Sequence, residues 1–284
     1  MIKLDTKRFD AMKVLQKAPD YMKDYNLKTN DKIVEFDSLA AYKRFCIHYK
    51  DFDDCNRNAS MKHDQWSGSW DYDEFLEILD KGDLNVMAKM KDETAKEVNK
   101  LHTKYEEIIN GYRFDVSGQF FDVGLVLSGV PETWLEPEFE EVAKVQVELI
   151  IDGAFSAIMD KDNVIAGASR ILAIAKLLEE LDVQVKIRLI AGNDEYNTSQ
   201  RENKGCLYMN TLVKDFDEPI NYKKISALLS PTYQRRGLFK MIEVVAGHKV
   251  VSGYGYVVRC ENSIQLNNMK KINELEKKLF KEHK

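Results

Sequence analysis

The spacing of apolar positions changes character near residue 144. Before it, apolar residues recur mostly at helical intervals, with isolated strands between. Ile33 to Phe36 is a short apolar run, Asp37-Ser38 offers an N-cap, and LAAYKRFCIHY follows at helical spacing. The segment from Asp51 to Trp70, rich in Asp, Asn, Ser and Gly, reads as loop. Asp71 is placed to cap a short helix over YDEFLEILDK that Gly82 closes. Val86, Met90, Val98, Leu101, Tyr105 and Ile108 then mark the longest helix of the front half. YRFDV reads as a strand and FFDVGLVLSG as a short apolar segment, ended by a turn at Gly129-Val130-Pro131-Glu132.

From residue 144 strands and helices alternate. The pattern predicts a strand over 144–151, a helix near Asn163 to Leu181, a strand over 183–190, a polar loop GNDEYNTSQRENKG and a strand over 206–213. Helical sequence follows from Tyr222 to Val245, broken at Ser230-Pro231, then a strand YGYVVR from Tyr254 and a last helix over roughly 262–283. Such alternation implies an α/β fold with a three-layer, mainly parallel sheet, Rossmann-like or von Willebrand A-like. Residues 1–140 read as a mostly helical N-terminal region with short strands, and residues 141–284 as the α/β core with a basic C-terminal part. Met269, Ile272, Leu275 and Leu279 share one stripe of the last helix, too short for a coiled coil and expected to pack on its own domain.

Composition fits this picture. At 284 residues and 44% hydrophobic, the chain can bury one large core or two smaller ones. No apolar run approaches the roughly 18 residues of a membrane span, and MIKLDTKRFDAMK lacks a signal-peptide core, so a cytoplasmic protein without a membrane partner is expected. Cys46, Cys55, Cys206 and Cys260 are few and scattered, which argues against a disulfide framework.

Charge is unevenly spread. The stretch from Lys223 onward holds 13 Lys+Arg against 5 Asp+Glu, so the net charge of -5 hides a basic end on an acidic body. Two readings stand side by side: a surface for an anionic partner, nucleic acid being the commonest, or a basic part packed on the acidic front part. Arg235, Arg236 and Lys240 follow Pro231 within one or two helical turns, and with Lys223, Lys224 and Lys249 they could track a phosphate backbone. Tyr233, Tyr254 and Tyr256 are the nearby aromatics that could stack on unpaired bases.

The other candidate lies where the strand VQVELII runs into Asp152-Gly153-Ala154-Phe155-Ser156. Open α/β sheets place ligands at the carboxyl ends of their strands, so this is the position to watch for a site. Cys46, His48, Cys55 and His63 do not have zinc-finger spacing, and no GxGxxG, P-loop, HExxH or nucleophile-elbow motif stands in a supporting context. No catalytic residue is assigned, and the protein reads as non-enzymatic. A protein-interaction adaptor using the Asp152 end of the sheet is the second alternative, and an enzyme using the same crevice the third.

Two resemblances add to this. Asp152 to Ser156 resembles the first metal motif of von Willebrand factor A-like domains, Asp-x-Ser-x-Ser. That implies Asp152 and Ser156 as ligands of Mg²⁺, although Ala154 stands at the position of one hydroxyl. Several pieces in order are similar to a largely uncharacterised family of tailed-bacteriophage proteins with a loosely von Willebrand A-like core. They are Trp66-Ser67-Gly68, Asp115 to Gly118, Phe121 to Gly124, Leu127 to Gly129, VELIIDGAFS with Gly167, Ala168 and Leu172, and Ser230 to Phe239. The resemblance implies a viral protein in the cytoplasm of the infected bacterial host. The partners then expected are nucleic acid or a phage or host protein complex, such as a transcription or replication accessory.

Overall fold

The computed structural model describes residues 12–15, 32–48, 72–106, 145–153, 161–194, 206–230, 232–233, 237, 257–258 and 263–281. In chain order these form β1 (Met12–Leu15), β2 (Lys32–Phe36), α1 (Leu39–His48), α2 (Tyr72–Lys81), α3 (Leu84–Lys104), β3 (Gln146–Asp152) and α4 (Lys161–Glu180). Then come β4 (Gln184–Asp194), β5 (Cys206–Lys214), α5 (Tyr222–Leu228), β6 (Val257–Val258), β7 (Ile264–Gln265) and α6 (Met269–Lys281).

The seven strands make one mixed sheet in the order β1-β2-β5-β4-β3-β7, with β6 on the far end of β4. Parallel pairing holds within two blocks, β2 with β5 and β4 with β3 and β7. The blocks meet antiparallel at β4 and β5, where uninterrupted alternation with helices predicts a parallel pair. The reason is local: a short polar segment, read from its sequence as a loop, joins these two strands, and only a parallel pair needs a long crossover. The same hairpin lengthens β4, since Gly192, Asn193 and Asp194, expected in the loop, pair with Tyr208, Leu207 and Cys206.

Val34, Phe36, Leu149, Ile151, Val185, Ile187, Leu189, Ala191 and Met209 point to one side of the sheet and are buried there, and residues of all six helices join the same core. Residues on both sides of position 140 therefore share one sheet and one core. α4 lies deepest: Ile171, Leu172, Ile174, Leu177 and Leu178 are fully buried, each contributing about 1.5–3 kcal/mol by burial. A helix apolar on all sides is what a fully covered position selects.

Helix ends follow the chemistry of their residues. Ser38 Oγ accepts from the Ala41 N–H at 3.1 Å, and Asp83 caps α3 through the Val86 N–H at 3.1 Å. Gly82 closes α2 at φ 78°, a conformation glycine adopts without strain. Near the C-terminus the helix starts later than its pattern predicts. Residues 264–265 form β7 instead, and Asn268 caps α6 by accepting from the Lys271 N–H at 3.1 Å. α5 also stops early, at Leu228, and Ser230 Oγ accepts from the Tyr233 N–H at 3.1 Å. Pro231 has no N–H to continue the ladder, so the break falls there. The expected strand YRFDV, the segment FFDVGLVLSG and the turn after it lie outside the described residues.

Candidate functional site

Asp152 ends β3 at a point where the strand order divides. β4 lies on one side of β3 and β7 on the other, both parallel to it, and Asp152 is in register with Ile190 and with Gln265. This is the switch-point position at which parallel α/β sheets bind ligands. Asp152 is buried, as is Ser263 just before β7. Gly153 follows because the backbone turns against Leu189: a Cβ there would come within 2.7 Å of its Cδ2, while the Gly153 N–H donates to the Ile190 carbonyl at 2.7 Å. Ser156, the other expected Mg²⁺ ligand, lies outside the described residues. Among the described residues no three His, Cys, Asp or Glu side chains converge as a metal site. Asp152 is thus the one described member of the expected Mg²⁺ pair, and the sequence has Ala154 in the place of one hydroxyl.

The same side of the sheet carries polar residues that the sequence reading missed. Arg188 on β4 donates from Nε to Glu148 on β3 at 2.6 Å, and from Nη1 to Glu35 on β2 at 3.1 Å, reaching across β5. Asn210 on β5 donates to the same Glu35 oxygen at 3.4 Å. Three strands are thus tied by one guanidinium, whose planar fork suits two carboxylates at once. The signal was present as alternate polar positions in VELIID and VKIRLI, and it was overshadowed by the apolar residues between them.

The opposite end of β4 holds a cavity of about 400 Å³ lined by Glu179, Asp182, Gln184, Asp217 and Glu218 among others. Beside it Lys214, fully buried, gives its ammonium protons to the Val185 carbonyl at 2.6 Å, the Asp215 carbonyl at 3.1 Å and Glu179 at 2.6 Å. Three acceptors satisfy the three donors of a lysine, which is why it tolerates this depth. It sits where the register of β4 and β5 shifts, after Ile187.

Of the six expected nucleic-acid contacts, Arg235, Arg236, Lys240 and Lys249 lie outside the described residues. Gly237, next to the arginine pair, is described: a Cβ there would approach Tyr42 Oη to 2.3 Å and Phe75 Cζ to 2.7 Å, so it packs on α1 and α2. Lys224 pairs with Glu218 at 2.9 Å, and Lys223 lies near Asp80, whose carboxyl is held below its ordinary value chiefly by Lys43. Lys224 is thus paired with an acid six positions before it, and Lys223 acts on Asp80 only by its charge. The zinc set is not assembled at its described end, since Cys46 is buried and His48 is exposed.

A different basic surface emerges on α6. Lys270, Lys271, Lys277 and Lys278 are exposed, and at 3.6 residues per turn they fall within an arc of about 120°, with Glu274 between them. The opposite arc holds Ile272, Glu276 and Phe280, all buried. Several lysines elsewhere on the helices are paired, Lys43 with Asp80, Lys81 with Glu77, Lys89 with Asp162, Lys96 with Asp92, Lys100 with Glu97 and Lys104 with Glu276, while Lys91, Lys161, Lys176 and Lys223 form no ion pair among the described residues. The four on α6 pair with no carboxylate among the described residues.

What holds α6 in this orientation is a buried ion cluster. Arg170 on α4 contacts both Glu97 of α3 and Glu276 of α6, and Glu276 also accepts from Lys104 at 2.6 Å and Tyr105 at 2.8 Å. Burial alone would push the Glu276 carboxyl up, but the hydrogen bonds from Lys104 and Tyr105 and the charge of Arg170 outweigh it and hold it below its usual value.

No helix among the described residues is long and apolar enough to cross a membrane. No curated protein and no solved structure matches the chain. The model of a domain of unknown function, DUF7192, matches residues 13–283, nearly the whole length, and the protein belongs to that family.

Proposed function

We propose that the protein binds nucleic acid, or a complex that handles it, through its basic C-terminal part, without being an enzyme. The observation that carries this reading is the lysine face of α6, four exposed ammonium groups gathered on one arc of one helix without a carboxylate partner among the described residues. Solvated lysines that no internal acid neutralises are what a polyanion displaces counterions to reach. Arg235, Arg236, Lys240 and Lys249, outside the described residues, would add further phosphate contacts. The test is fluorescence anisotropy of labelled DNA and RNA with the full chain across a salt series. Binding that weakens steeply with salt, and weakens again in Lys277→Ala/Lys278→Ala, is expected; no binding at low salt ends the proposal.

A second reading is a protein-interaction adaptor using the carboxyl end of β3. It is favoured by Asp152 at the switch point of the sheet, and it goes with a von Willebrand A-like or Rossmann-like three-layer fold. Capture of a defined host or phage protein by the wild type and not by Asp152→Ala would support it. Origin from a tailed bacteriophage is part of the same proposal, and a gene neighbourhood without other phage genes would count against it.

A further inference from the structure

We infer that the α6 face contacts backbone phosphates alone and so takes any polyphosphate chain without regard to base or sugar, an inference that rests on the nucleic-acid reading above. The side chains on that face decide it. Base edges are read best by the planar, bidentate groups of arginine, asparagine and glutamine, and unpaired bases are held by aromatic rings. Among the described side chains the arc from Lys277 to Lys271 has none of these, four flexible point charges and one carboxylate instead, and Asn273 lies outside it. Geometry agrees. The lysines form two pairs, 270 with 271 and 277 with 278, about 10 Å apart along the axis at 1.5 Å per residue. Glu274 stands one turn from each pair and repels a phosphate chain that would cross between them. α6 is also seated along its length by Ile272, Glu276 and Phe280, with Leu275 and Leu279 half-buried, so the lysine arc is its basic open face, beside the exposed Met269 and Asn273.

Four phosphate contacts limit the slope of log K against log salt to about -3.6 on duplex DNA. The experiment displaces a labelled mixed-sequence duplex from the full-length protein with unlabelled duplexes of unrelated sequence, with single strands, and with inorganic polyphosphate at equal phosphate concentration. All are expected to compete within about threefold of one another, as sequence-independent binding requires. If polyphosphate fails to displace, or one sequence competes about tenfold better or more, the inference falls while nucleic-acid binding stands. If neither duplex nor single strand binds at low salt, both fall. Replacing Lys270, Lys271, Lys277 and Lys278 together by Gln should abolish displacement with the circular dichroism spectrum unchanged. Duplex binding that survives in this variant would put the surface elsewhere and overturn the inference.

Discussion

Arg170 and Glu276, 106 positions apart in the chain, meet in the interior, with the Arg170 Nη2 donating to the Glu276 Oε2 and Glu276 wholly buried. The contact joins the central helix α4 to the last helix α6, and Arg170 reaches Glu97 of α3 with its other terminal nitrogen. A buried pair of this kind is costly to desolvate, so its worth lies less in net stability than in fixing one orientation.

Removing one member is therefore expected to cost more than removing both. Glu276→Ala leaves Arg170 with Glu97 as its one remaining carboxylate and takes the shared acceptor from Lys104 and Tyr105, and should lower the unfolding free energy by about 3 kcal/mol in urea titration. Arg170→Met/Glu276→Leu should lose less than the single variant. A double variant as unstable as the single one would show that packing, not charge, is at stake.

Acid should loosen the same junction. Glu97 and Glu276 are both held below the usual glutamate value of 4.5 in the folded protein. A carboxyl whose value is depressed by folding contributes fully above its unfolded value, and that contribution is lost as pH falls through the lower folded value. The urea midpoint should drop between about pH 7 and about pH 3, and drop less in Glu276→Gln. An equal drop in both proteins would remove these groups from the account.

Gly167 on α4 has no room for a side chain, because a Cβ there would stand 1.9 Å from the Leu266 carbonyl oxygen. Backbone does not yield as a flexible side chain does. Gly167→Ala should destabilise by about 3 kcal/mol, at the upper end for overpacking, and thermal melting would read it directly.

Lys214→Met keeps the aliphatic stem and removes the ammonium. The Val185 carbonyl loses its 2.6 Å donor at the register shift, and Glu179 loses its partner. A loss of about 1–3 kcal/mol is expected, the cost of leaving a buried acceptor unsatisfied. A neutral outcome in chemical denaturation would mean that water replaces the lysine.

With one carboxylate and Ala154 in the place of a hydroxyl, the carboxyl end of β3 is expected to give no Asp152-dependent rise in melting temperature with millimolar Mg²⁺. A rise in the wild type that Asp152→Ala abolishes would restore a cation to this position, since a ligand that binds the folded state raises its stability.

Local signals in the sequence located what local chemistry governs. Ser38 as a cap, Gly82 as a stop, α3, the β3-α4-β4 unit and the place of Asp152 at the end of its strand all follow from short-range pattern. The antiparallel meeting of β4 and β5 did not follow from strand-helix alternation, although the polar sequence between them, with no helical pattern, carried the clue. The charged residues that matter most were illegible for a different reason. Glu276 stands in ELEKK and Lys214 beside Asp215, and each reads as one more solvated charge until partners from far along the chain are known. Arg188 could be placed on a strand but not given Glu35, 153 residues away. The basic end was visible in the charge count, whereas its open surface on α6 depended on which lysines the fold neutralises.

The pairing of β2 with β5 bears on how the chain can be cut. β2 comes from the front of the sequence yet supplies the neighbour of β5, from Lys32 opposite Leu207 to Phe36 opposite Thr211. A fragment of residues 141–284 would strip that neighbour away and leave a row of unmatched amides and carbonyls along β5, the kind of open edge that recruits foreign strands. Such a fragment is expected to aggregate rather than fold as an independent unit. Adding residues 1–48 in trans should then restore its solubility by filling the vacant edge.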